Sequence, residues 1–162
     1  MIEEFGFDLS IDPNPRFVTV VRRFVETAFD RLLADPEIVF RVSMSAHELL
    51  ENGAKYSFGS KVLLRVSFQR RDHGAVVCLG LVNETTPEHI ARLSEGIKAI
   101  STASDPDEHY TALMKKNARL TNESGLGLAR IRAEGEMELG LDVNGSTVSI
   151  HASTEVRPEA LR

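Results

Sequence analysis

The chain has 162 residues, of which 42% are apolar and 27% charged, and its formal net charge is −5. We expect one globular domain over residues 1–162, with a loosely ordered tail at about 155–162. The acidic balance argues against a nucleic-acid partner, and no apolar run approaches the roughly 18 residues of a membrane helix, so no membrane partner is expected. A lone cysteine and an N-terminus without a signal peptide's apolar region both favour the cytoplasm.

The cysteine and the histidines offer little for thiol or metal chemistry. Cys78 lies in the apolar run AVVCLGLV, and we interpret it as a small buried residue. The histidines are not spaced as zinc ligands, and neither an HExxH nor a CxxC motif is present. Zinc chemistry is therefore not expected.

The first half of the chain predicts two helices followed by two strands. Residues 16–34 repeat apolar side chains at helical spacing, and Asp35-Pro36 marks the start of a second helix over residues 37–56. Residues 61–69 alternate apolar and polar side chains, and residues 75–82 are apolar on both faces, which is typical of a central strand. The stripe predicted to be buried on the first helix contains Phe17, Val20, Val21, Phe24, Ala28 and Leu32.

The second half predicts three helices and a closing hairpin. Pro87 begins a third helix, and Asp105-Pro106 caps a fourth that continues to about Asn117. Residues 118–125 are predicted to form a loop before a short fifth helix. Two further strands follow, joined by Asn144-Gly145, a pair that favours a type I′ turn in an antiparallel hairpin.

This order of elements, α-α-β-β-α-α-α-β-β, predicts an α+β fold. The strands come in pairs with short links, so the sheet should be mixed and largely antiparallel. The helices should cover one face of that sheet, which gives a two-layer α/β sandwich.

The second helix carries a polar face with recognisable chemistry. Glu48, Asn52 and Lys55 fall together on the helix, away from its apolar side. A carboxylate can act as a general base, a carboxamide oxygen suits Mg²⁺, and an ammonium group can bind phosphate. The alternative is an ordinary solvated face on which Glu51 and Lys55 form an ion pair one turn apart.

A glycine-rich segment precedes the fifth helix. In Asn122 to Leu128, NESGLGL, Gly125 and Gly127 would let backbone N–H groups approach an anion at a helix N-terminus. The alternative is a tight turn in which small residues serve packing. The segment is neither a Rossmann fingerprint nor a Walker P-loop, because no strand leads into a GxGxxG and no Gly-Lys-Ser/Thr follows.

Together these two segments resemble the motifs of the GHKL superfamily of histidine kinase-like ATPases. HELLENGAKYS is similar to the N box and SGLGLARI to the G2 box. The resemblance implies ATP and Mg²⁺ as cofactors, held between helix and sheet under a flexible lid. It also implies Glu48 as the general base, Asn52 as the Mg²⁺ ligand and Lys55 at the phosphates. The phosphate-binding loop would consist of Gly125, Gly127 and the Leu126 backbone.

One motif of that superfamily is missing. The G1 box, DxGxG, should follow the central strand and supply an aspartate that reads the adenine amino group. Here the strand runs into NETTP instead. Asn83 could accept from the amino group through its side-chain oxygen, and Glu84 is an alternative.

A narrower resemblance covers much of the remaining chain. PEHIARLSEGIKAI, DPDEHYTALM and SGLGLARIRAEGEM are similar to the SiaB-like kinases, single-domain bacterial proteins without an ordinary G1 box. The wider group resembles the anti-sigma factor kinases of partner switching, which phosphorylate Ser or Thr on a STAS-domain partner. The basic stretch at residues 115–119 is a candidate for a mobile lid.

Three functions are weighed on these grounds. The first is an Mg-ATP-dependent Ser/Thr protein kinase acting on a STAS-domain-like partner in signal transduction. The second, favoured by the missing G1 box, is a non-catalytic binding module that sequesters a regulatory partner. A sensor-kinase fragment is weaker, because no histidine-containing dimerisation helices are evident. A homodimer through apolar residues of the first helix is left open.

Overall fold

The computed structural model describes residues 1–59, 61–118 and 125–162. In this part of the chain five strands form one sheet in the order β1-β2-β3-β5-β4, and each neighbouring pair is antiparallel. The strands are β1 (Glu4–Ile11), β2 (Val62–Arg71), β3 (Gly74–Glu84), β4 (Glu138–Asn144) and β5 (Thr147–Val156). The helices are α1 (Pro15–Asp30), α2 (Pro36–Tyr56), α3 (Pro87–Thr102), α4 (Pro106–Asn117), α5 (Leu126–Ala133) and a short 3-10 helix (Pro158–Ala160).

The predicted two-layer sandwich is confirmed. Alternate residues of β2 and β3 are buried beneath the helices, whereas Arg65 and Cys78 on the opposite face are exposed. The predicted interpretation of Cys78 as a buried residue is therefore wrong, because this face of the central strand has no covering layer in the described part of the chain. The sheet is antiparallel throughout those residues rather than mixed.

Strand β1 is absent from the predicted order of elements. Its apolar residues alternate with polar ones, and Phe7 lies opposite Val66 in the pairing with β2. The same alternation identifies β2 in the sequence. The sequence therefore carried the signal for β1, and its omission from the predicted order is an error; in the fold, this edge strand buries its apolar side chains only partly. These side chains are Phe5, Phe7, Leu9 and Ile11.

Helix α1 buries only part of the stripe predicted, and it ends at Asp30 rather than at residue 34. The helix is apolar around much of its circumference, so packing against β1 and α2 decides which side enters the core. The buried residues are Val18, Val21, Val25 and Phe29. Of the predicted stripe, Val21 and Leu32 are buried as expected. Phe17, Val20 and Phe24 instead remain 49%, 62% and 52% exposed.

The closing hairpin and the C-terminal tail also differ from expectation. Asn144 pairs with Thr147, so the turn residues are Gly145 and Ser146. Only Gly145 has a positive φ, at 62°, which fits a type II′ turn rather than type I′. The tail at 155–162 is packed rather than loose, because the last strand reaches Val156 and the final residue's N–H donates to the Leu32 carbonyl.

Helix α2 lies at the centre of the helical layer. Its start is capped as predicted, with the Asp35 side chain accepting from the Glu37 N–H at 2.8 Å. The apolar side predicted for it is fully buried, and Gly53 sits so close to Leu81 that a Cβ there would meet that side chain at 2.9 Å. This tight seating fixes which way the polar face of α2 points.

Candidate functional site

The polar face of α2 and the start of α5 form a small cleft. Its volume is about 150 Å³. From α2 the lining residues are Glu48, Glu51, Asn52, Lys55 and Tyr56, and from α5 and its N-cap they are Gly125, Leu126, Gly127 and Leu128. The fold thus brings together every predicted site residue except Asn83, although the two segments are some seventy residues apart in the sequence.

The N-terminus of α5 has no side-chain cap among the described residues. Gly125, the N-cap residue, has a φ of 108° and makes no side-chain cap. This left-handed conformation favours glycine, and none of the described residues lies within 4 Å of the position a Cβ would take. Among the described residues, the first amides of α5 have no side-chain acceptor, an arrangement suited to binding phosphate groups. Residues 119–124 of the predicted loop lie outside the described residues.

Gly127 allows α5 to approach Glu48 closely. A Cβ on Gly127 would lie 2.5 Å from Oε2 of Glu48, so any larger residue would displace the carboxylate or the helix. Gly127 therefore has a packing role, which was one of the two alternatives that the sequence left open for this segment. Such packing is compatible with a phosphate loop, since the backbone N–H of Gly127 belongs to the same open helix start.

The carboxylate of Glu48 is held by a cation on α5. Arg130 Nη1 donates to Glu48 Oε1 at 2.9 Å, and Arg130 Nε donates to Glu134 Oε2 at 2.6 Å. The hydrogen bond with Glu134 is the main reason that the pKa of Arg130 is raised above its usual value, with Glu48 adding to the effect and burial opposing it. Glu48 is 15% exposed, so this ion pair is largely shielded from water.

Asn52 and Lys55 are the more accessible members of the cleft. Asn52 is half-buried one turn beyond Glu48, and Lys55 is exposed with its Nζ 5.1 Å from the centre of the Tyr56 ring. Within the described residues no group of three or more His, Cys, Asp or Glu side chains converges on one point. A Mg²⁺ ion here would depend on Asn52 and on phosphate oxygens, which suits an ion that commonly takes only one or two protein ligands.

Tyr56 joins the cleft to helix α3. Its ring stacks on His89 with centroids 4.1 Å apart and planes inclined by 17°. Burial, assisted by the positive charge of Arg92, lowers the pKa of His89, so the imidazole favours its neutral form. Nε2 of His89 is buried without a hydrogen-bond partner among the described residues.

Asn83 lies outside the cleft, at the end of β3. Its side chain is 4% exposed on the helix-covered face, and Nδ2 donates to the Glu84 carbonyl at 3.2 Å. Oδ1 is buried and has no hydrogen-bond partner among the described residues. An unpaired acceptor of this kind is costly unless a ligand or water satisfies it. The position thus fits a group that offers an N–H, as the amino group of adenine does. Glu84 itself is exposed.

Several contributors to the site carry no motif in the sequence. From the sequence, Arg130 could equally be a phosphate ligand or a surface residue. Its pairing with Glu48 results from the packing of α5 on α2. Tyr110 of α4 lies near the same charges, and burial, with a smaller contribution from Glu134, raises the pKa of its hydroxyl. Of the predicted lid, Lys115 and Lys116 form the last turn of α4, and Arg119 falls outside the described residues.

Comparison with known proteins yields a structural likeness. No family model matches the sequence, and no curated protein matches it significantly. Among solved structures, the fold is similar to a chain of the SiaB–SiaC complex from Pseudomonas aeruginosa. The TM-score is 0.65 at 20% sequence identity, over 93% of this chain and 88% of that chain. At this identity the similarity establishes the fold. No helix in the described ranges is long and apolar enough to cross a lipid bilayer.

Proposed function

We propose that this protein is a GHKL-type, Mg-ATP-dependent kinase that phosphorylates a Ser or Thr of a partner protein. One observation carries the proposal: Glu48, Asn52 and Lys55 of α2 face the open N-terminus of α5 across one cleft. This arrangement combines a base, a magnesium ligand, a cation and a phosphate-binding helix start. ATP and Mg²⁺ are cytoplasmic, which agrees with the location expected from the sequence.

Glu48 is the proposed general base. Its carboxylate would accept the proton of the partner's hydroxyl as that oxygen bonds to the γ-phosphorus. The bond between the γ-phosphorus and the β–γ bridging oxygen would break, and ADP would leave with that oxygen. Because Arg130 now holds Oε1 of Glu48, the carboxylate must be shared or released when the substrates bind.

The remaining residues would bind and orient the nucleotide. Asn52 would hold Mg²⁺, whose chemical contribution is to neutralise charge on the phosphate oxygens. Lys55 and the amides that begin α5 would contact the phosphates. The cleft of about 150 Å³ is smaller than the several hundred Å³ of a typical ligand site, so it suits the phosphate end of ATP. Oδ1 of Asn83 is the proposed acceptor for the adenine amino group.

The partner is proposed from resemblance and structural likeness together. SiaB is solved in complex with SiaC, and the present chain has the fold of a protein in that complex. We therefore propose a partner-switching role, with a STAS-domain-like protein as the phosphorylated partner. The motifs shared with SiaB-like kinases support this choice.

Calorimetric titration of Mg-ATP tests the nucleotide site. We expect micromolar binding to the wild-type chain and a loss of at least about tenfold in Asn52→Ala, because the metal ligand is removed. Asn144→Ala, at the exposed end of β4, is the matched control and should bind as the wild type does. Absence of binding to a folded wild-type chain would refute the proposed ATP site.

Radiolabelled phosphoryl transfer to candidate STAS-domain proteins tests the base. Glu48→Gln should reduce transfer by about 10²-fold or more while leaving ATP binding within a fewfold of wild type. Glu95→Gln, on the exposed side of α3, is the control for loss of a surface carboxylate. Equal rates for Glu48→Gln and the wild type would show that Glu48 is not the base.

A non-catalytic binding module is the second candidate. The Arg130–Glu48 ion pair favours it, because a carboxylate that is already paired is a poor base until the pair opens. The absent G1 box points the same way. Partner binding that persists in Glu48→Gln and Asn52→Ala, together with undetectable ATP binding by the wild type, would favour this function over the kinase.

A further inference from the structure

One side of helix α5 faces the carboxylate of Glu48. Gly127, Arg130 and Glu134 are spaced three and four residues apart, so they share this side of the helix. Gly127 lies against Oε2 of Glu48, and Arg130 Nη1 donates to Oε1 at 2.9 Å. The carboxylate therefore sits at the first turns of α5, beside the backbone amides that are suited to binding phosphate.

The guanidinium of Arg130 contacts two carboxylates of different origin. Nε donates to Glu134 at 2.6 Å, and Glu134 is the C-cap residue of α5 itself, so this contact does not depend on α2. Nη1 instead reaches Glu48 on α2. The Arg130 side chain is 33% exposed, so the described residues do not enclose it. A small rotation of the side chain would release Glu48 while the contact with Glu134 is kept.

The proposed reaction brings the γ-phosphate of ATP close to this guanidinium. A base lies about 2.6–3.2 Å from the hydroxyl oxygen whose proton it accepts, and that oxygen approaches the phosphorus to about 3–3.5 Å before reaction. The phosphorus would thus lie within roughly 6–7 Å of the Glu48 carboxylate. Because Arg130 Nη1 already touches this carboxylate, a short movement brings it to the γ-phosphate oxygens.

We propose that Arg130 is a further catalytic residue of this site, which leaves Glu48 to bind the γ-phosphate and so frees the base only when a triphosphate is present. This inference rests on the proposed kinase function. Phosphate oxygens, like a carboxylate, accept two parallel hydrogen bonds from a guanidinium, so the γ-phosphate can replace Glu48 as the partner. ADP has no γ-phosphate, and with ADP Arg130 remains paired with Glu48.

During transfer Arg130 would neutralise charge and give up no proton. The partner's hydroxyl oxygen bonds to the γ-phosphorus as its proton passes to Glu48. The bond from that phosphorus to the β–γ bridging oxygen breaks, and ADP leaves with the oxygen. Arg130 would stabilise the charge spread over the transferred group. Glu134 is a positioning residue, because it acts on the phosphate only through Arg130.

Separate calorimetric titrations of Mg-ATP and Mg-ADP test the contact without relying on phosphoryl transfer. Arg130→Met should lower the affinity for ATP by at least about tenfold and leave that for ADP within about twofold, because only ATP offers the γ-phosphate. Arg130→Lys, which keeps the charge but not the fork, should recover part of the ATP affinity. Arg132→Met is the matched control on α5, where Arg132 pairs with Glu138, and should bind both nucleotides as the wild type does.

The outcomes separate this inference from the proposed function. Circular dichroism establishes that each variant is folded, and Arg130→Lys gives the same comparison if Arg130→Met does not fold. A folded variant that binds ATP as tightly as the wild type, or that loses ATP and ADP affinity equally, would overturn the role of Arg130 and leave the kinase proposal standing. A wild-type chain that binds neither nucleotide would overturn the proposed function and this inference with it.

A double-mutant cycle tests the positioning role of Glu134. Glu134→Gln should lower the ratio of ATP affinity to ADP affinity by about threefold in the wild-type background and leave it unchanged in the Arg130→Met background, since Glu134 acts through Arg130. Glu138→Gln is the control for an exposed carboxylate paired with an arginine of α5. An unchanged ratio in Glu134→Gln, or an equal change in both backgrounds, would overturn the positioning role.

Discussion

Arg130 Nη1 lies 2.9 Å from Oε1 of Glu48, and the same guanidinium binds Glu134 at 2.6 Å. One side chain of α5 thus reaches across to the central helix α2. Among the ion pairs of the described residues, the Glu48 carboxylate is the least exposed, at 15%, whereas that of Glu88, paired with Arg92, is 75% exposed. It has two consequences, because it supports the packing of α5 and occupies the carboxylate proposed as the base.

Removing the guanidinium should destabilise the fold measurably. Arg130→Met would leave the Glu48 carboxylate, 15% exposed, without its partner, and we expect unfolding free energy to fall by about 1–3 kcal/mol. Urea unfolding followed by circular dichroism measures the change. Arg132→Met is the matched control, since its partner Glu138 is 71% exposed, and should change stability by no more than about 0.5 kcal/mol. Equal effects of the two variants would show that the Arg130–Glu48 pair stabilises the fold no more than an exposed ion pair does.

Gly127→Ala should be less stable than helix propensity alone predicts. The new methyl group would lie 2.5 Å from Oε2 of Glu48, so the end of this flexible side chain must move and its pair with Arg130 is disturbed. We expect this to offset the roughly 0.5–1 kcal/mol that alanine gains over glycine in a helix. Gly96→Ala in α3 is the control, because none of the described residues lies within 4 Å of its Cβ position, and it should show the full gain. Thermal unfolding measures both variants, and an equal gain in the two would contradict the close approach.

Stability should depend on pH through His89. Its pKa is lowered in the folded chain by burial and by Arg92, so the unfolded chain binds the proton more readily. The folded state is therefore favoured above the ordinary histidine pKa of about 6.5, and this contribution is lost as the pH falls through the lower folded pKa.

His89→Phe should remove that component while keeping a ring to stack on Tyr56. At pH values below about 6.5, we expect the wild type to lose stability relative to this variant, by at most about 1.4 kcal/mol per pH unit. The exposed His73, replaced by Gln, serves as the control and should leave the slope unchanged. Parallel pH profiles for wild type and His89→Phe would mean that His89 does not titrate abnormally.

Lys55 offers a test of the phosphate end of the cleft. Lys55→Met should weaken Mg-ATP binding by about tenfold and make the remaining affinity less sensitive to salt, because an exposed cation contacting phosphate is screened by ions. Calorimetry at two ionic strengths measures both effects. Lys98→Met, on the exposed side of α3, is the control. If Lys55→Met and Lys98→Met changed the Mg-ATP affinity equally, the phosphates would not bind at Lys55.

Local sequence patterns were sufficient for most of the elements. The caps at Asp35 and Asp105, the alternation in β2 and the apolar run of β3 depend on interactions within a few residues, and the structure confirms them. The polar face of α2 could be predicted for the same reason, since helical geometry alone aligns Glu48, Asn52 and Lys55.

Tertiary packing decided what local patterns left open. Helix α1 is apolar on more than one side, so its orientation depended on β1 and α2, and Phe17 and Phe24 stayed outside the core. Strand β1 was missed although its apolar and polar residues alternate as in β2, and tertiary structure placed it at the sheet edge beside β2. The exposure of Cys78 likewise followed from an uncovered sheet face, which no property of the AVVCLGLV run could reveal.

The sequence by itself therefore determined the helices, the strands after the first, and the residue types available for phosphate chemistry. Only the tertiary structure decided that α5 packs against α2, that Gly127 sits against Glu48, and that Arg130 pairs with that carboxylate. The physical reason is distance along the chain. Caps and periodicity act between neighbours, whereas this site depends on contacts between segments far apart in sequence, whose geometry is set by how the core packs.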